Sequence, residues 1–224
     1  MDATGGFPID LVLFGMIAAF LVLRLRSVLG KRQGFERPET PVAPAAAAAA
    51  RSMPEGHVIE GKAEPPPQRV VPDPTSQAGQ VLSRMRQIDP NFSAARFLDG
   101  AETAFRMIVT AFAAGNRDTL RPLLSPETFA AFDTAIGARE AAKETQKTEI
   151  RAVPSITIDH AELAGTMADI TARFVSDQVN VTLGLNGLPV AGADAVMEIT
   201  DLWTFERDLA SQDPTWRLVA ARSA

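Results

Sequence analysis

Few side chains in this sequence are equipped for covalent or acid–base chemistry. The chain has no Cys and no Tyr, and its two His are His57 and His160. Without Cys there is no disulfide, thiolate metal site or cysteine nucleophile. Two His fall short of a histidine-rich metal centre. No phosphate loop, nucleophile elbow or metal-ligand spacing occurs along the chain, so no cofactor and no metal is expected. Carboxylates remain. Asp159 precedes His160, but neighbours on a strand point to opposite faces and cannot work as a pair. On a regular strand His160 shares parity with Ile158 and faces inward, where a structural role is the expectation. Asp201 is the acid of most interest, because it shares parity with Ile199 and Trp203. That predicts a buried carboxylate held by the backbone or by an arginine such as Arg173. Asp194, Glu198 and Glu206 read as solvated. General acid–base catalysis needs a titratable group at shifted pKa inside a pocket. One structural Asp does not supply that, and the chain is read as a non-catalytic protein.

The elements that would position these residues begin at Gln77. Val81, Leu82, Met85 and Ile88 recur at helical spacing until Asp89-Pro90-Asn91 stops the run. Phe97, Ala101, Ala104, Phe105, Ile108 and Phe112 form the stripe of a second helix, closed by Gly115-Asn116. A short helical piece follows, from about Arg117 to Leu124. Ser125-Pro126-Glu127 then reads as an N-cap, a first-turn proline and an acid at the positive end of the dipole. That helix carries Phe129, Phe132 and Ile136 on one face and runs out near Lys143.

After Lys147 the period changes from helical to two. Ile156 and Ile158 alternate with polar residues, as do Ala168, Ile170, Ala172 and Phe174. Val179, Val181 and Leu183 continue on the opposite parity, which predicts a bulge or bend at Ser176–Gln178. Asn186-Gly187 marks a hairpin. The next strand carries Met197, Ile199, Trp203 and Phe205, and the last carries Trp216, Leu218 and Ala220. Helices followed by a strand meander predict an α+β domain over 77–224, with helices on one face of a bent antiparallel sheet.

Upstream, residues 30–76 are rich in Pro and Ala and poor in large apolar side chains. They are expected to form a disordered spacer. Before it, Leu11 to Leu23 is free of charge, and residues 7–29 are long enough for a single membrane-spanning helix. Leu11, Phe14, Ile17, Phe20 and Leu23 form its apolar body, with Arg24 and Arg26 at the headgroups. Asp2 and Asp10 precede the run while Arg24, Arg26, Lys31 and Arg32 follow it, the reverse of a signal peptide. The positive-inside bias places the N-terminus outside and the C-terminal domain in the cytoplasm.

Two groups of residues in the domain carry a resemblance. One is Asp89-Pro90-Asn91-Phe92 with Phe97-Leu98, Gly100-Ala101, Ala104-Phe105 and Ala111-Phe112. The other is Asp201-Leu202-Trp203-Thr204-Phe205-Glu206-Arg207-Asp208 with Asp213-Pro214 and Trp216-Arg217-Leu218. Together they resemble the Tim-forty-four-like (Tim44-like) domain family over about residues 77–224. The N-terminal anchor, with Leu23-Arg24-Leu25-Arg26-Ser27-Val28-Leu29-Gly30, is similar to the bacterial TimA branch of that family. The resemblance implies a non-catalytic, membrane-proximal module with a cystatin-like, nuclear-transport-factor-two-like cone. It also implies a bacterial inner-membrane location.

Two functions follow as expectations. The first is an anchored adaptor presenting a protein-binding domain to an inner-membrane or cytoplasmic protein, near protein translocation or membrane-complex assembly. The second is a lipid or hydrophobic-ligand binder using the cone pocket. Phe129, Phe132, Phe174, Asp201, Trp203 and Phe205 are the candidate pocket or interface residues. From Phe92 onward the chain has 12 basic and 18 acidic residues, a net charge of −6. That balance excludes nucleic acid as a main partner.

Overall fold

The computed structural model describes residues 68–224. The expected anchor, with Leu11, Phe14, Ile17, Phe20, Leu23, Arg24 and Arg26, lies outside the described residues, as does the linker up to residue 67. Among the described residues no helix is long and apolar enough to cross a membrane.

Residues 68–76 correct the linker expectation. Gln68–Val70 form strand β1, and Asp73 starts a turn by accepting from the backbone N–H and hydroxyl of Thr75. These two donors hold the Asp73 carboxyl below its ordinary value. The turn feeds helix α1, Gln77–Ile88, whose N-cap Ser76 hydroxyl accepts from Gly79 N–H at 3.1 Å. Gly79 is required by close approach, since a Cβ there would lie 2.0 Å from the Asp73 carbonyl oxygen. Val81, Leu82 and Met85 are buried, so this amphipathic helix packs on the domain.

Helix α2, Ala94–Ala114, turns Phe97, Leu98, Ala101, Phe105, Ile108 and Ala111 inward. Its C-terminus is closed twice. Gly115 adopts the left-handed conformation at φ +68, and the Arg139 guanidinium donates to the carbonyls of Phe112 and Ala113 at 2.6 and 3.2 Å. A single turn α3, Arg117–Leu120, leads to α4, Pro126–Ala141. Arg117 bonds Asp133 at 2.6 Å and Glu140 at 2.8 Å, holding the α3 turn to α4. Ile136 is the fully buried side chain of α4.

Strands β2 (Thr145–Ala164), β3 (Met167–Leu183), β4 (Pro189–Asp208) and β5 (Arg217–Ser223) follow as an antiparallel meander. β1 adds to β2 in parallel. The sheet is therefore mixed rather than purely antiparallel, with order β1-β2-β3-β4-β5. The fold is α+β, with a curved sheet packed on the helices.

The bulges fall on the strands beside β3. β3 keeps strict alternation from Ala168 to Gln178, and Ser176 and Gln178 are buried on its inner face. The predicted bend at Ser176–Gln178 is thus displaced. Between Gln178 and Asn180 the register partner jumps from Met197 to Ala193, so β4 carries the extra residues. β2 slips between Ile150 and Ala152, between Ala152 and Ser155, and between Ile158 and His160. Such insertions bend a strand and raise its twist, which curves the sheet round the helices.

Candidate functional site

The bulge at Asp159 settles the fate of the domain histidine. It breaks the parity between Ile158 and His160, so Ile158 is buried while Asp159 and His160 are both exposed. His160 does not face inward; its ring meets Glu162 at 3.1 Å. Arg173, the expected partner of Asp201, bonds Asp159 instead, at 2.8 Å. Asp201 accepts a hydrogen bond from Ser223 at 3.3 Å and lies opposite Phe174 in register. With no cation against it, burial pushes its carboxyl up to about 6. Asp169 is also raised, first by burial and then by Glu206 and Glu162 beside it. Among the described residues no group of His, Asp and Glu could hold a metal ion.

The six candidate pocket residues do not surround one cavity. Phe174, Trp203 and Phe205 line the concave face of the sheet and are buried. Phe105 of α2 stacks on Phe174 with centroids 4.6 Å apart and planes within 9°. It also meets Trp203 at 4.7 Å. These rings fill the space between helix and sheet, and each fully buried ring contributes about 2–3 kcal/mol. Phe129 and Phe132 sit elsewhere, on α4. The Arg121 guanidinium lies 4.2 Å above Phe129, and Phe132 packs against Phe112 at 4.9 Å. Asp201 shares the β4 face of Trp203 and Phe205 and borders the ring cluster at Phe174.

The two groups of family-like residues, over a hundred positions apart, meet at one place. Asp89, the C-cap of α1, pairs with Arg207 of β4 at 3.0 Å, and both side chains are nearly covered. Asp89 also accepts from Asn91 N–H at 2.9 Å, which fixes the Asp-Pro-Asn turn. Truncating one member of such a pair leaves the other charge unmatched, at a cost of about 3 kcal/mol. Beside the pair, Trp216 meets Phe97 edge-on at 5.0 Å and Phe92 at 6.1 Å. Phe97 in turn meets Phe205 at 5.9 Å. The last strand is held there by Leu218, whose N–H donates to the Leu123 carbonyl while its own carbonyl accepts from Ser125.

An open apolar groove of about 440 Å³ runs along this junction. Phe92, Phe97, Ala104, Met107, Leu123 and Trp216 are among its walls, with Arg96 and Arg207 at its rim. Met107 is 44% exposed. Of the candidate pocket residues Phe205 alone reaches the groove. Sequence reasoning found Phe92, Phe97 and Trp216 as family-like residues but not as a binding surface. The available signal was Met107, an apolar residue off the buried stripe of α2. The arrangement can grip an apolar side chain between aromatic walls.

A family model described as Tim44-like domain matches residues 78–223. Among curated proteins there is no match. Solved structures include the intermembrane-space region of the chloroplast protein ARC6, at 11% identity, covering 56% of this chain and 95% of that one, with a TM-score of 0.43. A putative dehydratase of the NTF2-like family from Streptomyces avermitilis shows 13% identity, covers 58% and 96%, and has a TM-score of 0.34. A conserved protein from Planctomyces limnophilus shows 15% identity, covers 58% and 94%, and has a TM-score of 0.31. Structural likenesses this low say nothing of activity. The family match takes in the Asp89–Arg207 pair and the Phe92–Trp216 junction together, and the chain belongs to the Tim44-like domain family.

Proposed function

We propose that this protein is a non-catalytic adaptor, anchored in a bacterial inner membrane by residues 7–29 and presenting its Tim44-like domain to a partner protein on the cytoplasmic side. The observation that carries the reading is the distribution of apolar surface. The interior of the cone-like fold is filled by Phe105, Phe174, Trp203 and Phe205. The outer groove is open at Met107 and half-buried Trp216, with Phe92 and Phe97 buried at its base. Aromatic packing in the interior favours a role at the surface over an enclosed ligand, and an open apolar groove suits a protruding side chain of another protein. The charge reversal across the anchor supports the orientation. The stretch Leu23–Gly30 supports the TimA branch, and a place near protein translocation or membrane-complex assembly follows from that kinship.

A photo-crosslinking residue at Met107 of the full chain, in native membranes, tests the proposal. One reproducible protein adduct is expected, with none from the same residue placed at exposed Asp118. Adducts with lipid alone would favour a hydrophobic-ligand binder; no adduct at either position would remove the groove from the argument.

A further inference from the structure

A second surface lies far from the groove, along the upstream half of β4. β5 covers β4 from Asp201 to Glu206, and Ala224 N–H reaches the Thr200 carbonyl. Upstream of that point, Pro189–Ala193 and Met197–Ile199 run beside β3 with Asp194–Val196 inserted between them, and no strand lies on the other side among the described residues. An open edge presents a row of backbone donors and acceptors that can hold another strand. Folded proteins commonly guard such edges with Lys, Pro or a bulge. Pro189 and the bulge-forming Gly192, at φ +74, guard the first part here. From Ala193 to Ile199 there is neither Pro nor Lys, the only guards being the insertion at Asp194–Val196 and the acids Asp194 and Glu198, and Val196 and Met197 are 57% and 52% exposed. Fully extended, those seven residues would span about 23 Å at ~3.3 Å per residue, and the insertion shortens that.

Charge selects the occupant. Glu198 lies directly opposite Asp177 in the β3–β4 register. Like charges so placed repel. Neither acid, nor Asp194 nearby, makes an ion pair among the described residues, and no Lys or Arg occurs from Leu183 to Ile199. A cation arriving on the open side of Glu198 would offset that repulsion. A second copy of the chain would instead bring its own Asp194 and Glu198 against these acids. An anionic lipid surface would find no cation to meet. We propose that the Ala193–Ile199 edge of β4 binds an extended segment of a partner protein in which Lys or Arg alternate with apolar residues, adding it as a further strand of the sheet.

The test uses the full chain in nanodiscs of neutral lipid, at low ionic strength. The probes are a labelled seven-residue peptide of alternating Lys and Val and its counterpart with Glu in place of Lys. The Lys peptide is expected to bind saturably and about tenfold more tightly than the Glu peptide. It should slow amide exchange at 193–199 and leave the groove unchanged. The exposed double variant Asp194→Lys, Glu198→Lys should reverse the preference while keeping the wild-type circular dichroism spectrum and Tm. Equal affinity for both peptides, or exchange at 193–199 unmoved at saturation, would overturn the proposal. So would edge amides already protected before any peptide is added, since the chain itself or a second copy would then hold the edge.

Discussion

The two halves of β4 are one strand with two environments. Downstream, Trp203 and Phe205 are 6% and 1% exposed; upstream, Val190, Val196 and Met197 are 38%, 57% and 52% exposed. Both halves pair with β3, and both carry strand-forming apolar residues. Strand propensity therefore does not separate them. Length does. β4 has 20 residues, which at ~3.3 Å each would run about 65 Å without its bulges. Helix α2 has 21 residues but, at ~1.5 Å each, spans about 32 Å. A helix of equal residue count covers only half the strand. The half it covers becomes core, and the half it misses becomes surface.

The largest effect should come from breaking the covered half. Phe105→Ala removes a fully buried ring that stacks on Phe174 and meets Trp203. Chemical denaturation of the full chain is expected to show a loss of about 3–5 kcal/mol. A loss below about 1 kcal/mol would mean that the interior is loosely packed and able to admit a ligand after all.

Asp201 stands where the two halves meet, and its titration sharpens the boundary. Its folded-state carboxyl lies at about 6, above the ordinary value of 3.8. A raised carboxyl gives the fold a contribution that is fully present below the unfolded value and is lost as pH rises through about 6. The full shift would be worth about 3 kcal/mol, but the residue keeps partial contact with water, which screens it to about 1–2 kcal/mol. Asp201→Asn should therefore stabilise the domain by that amount at pH 8 and by almost nothing near pH 4. Other carboxyls act in the opposite sense, Asp73, Glu140, Asp208 and Asp213 being lowered by their hydrogen bonds. The informative quantity is thus the variant minus wild-type Tm across the pH range. A flat difference would place Asp201 in open solvent.

Periodicity made the helices and most strand faces legible. The Phe97–Phe112 stripe, the Ser125-Pro126 start and the Gly115 stop are local signals, and each formed the element it announced. What periodicity could not give was the position of bulges. One inserted residue inverts every side chain beyond it, and the slip at Asp159 is why His160 faces solvent. β1 was hidden for another reason: three residues flanked by prolines carry no period, and its pairing with Ser155–Thr157 is a tertiary event. The site was legible as family-like residues and illegible as a place, because the Asp89–Arg207 and Phe92–Trp216 contacts join the two ends of the domain.

The smallest effect should come from the uncovered half. Val196→Ser removes an exposed branched side chain beyond the reach of α2, where little apolar area is withdrawn from water on folding. Unfolding free energy is expected to change by no more than about 0.5 kcal/mol, a sixth or less of the Phe105→Ala loss. If Val196→Ser were instead to cost about 2 kcal/mol, the upstream half would already be covered in the full chain, and the contrast between the halves of β4 would be a contrast of binding partners rather than of exposure.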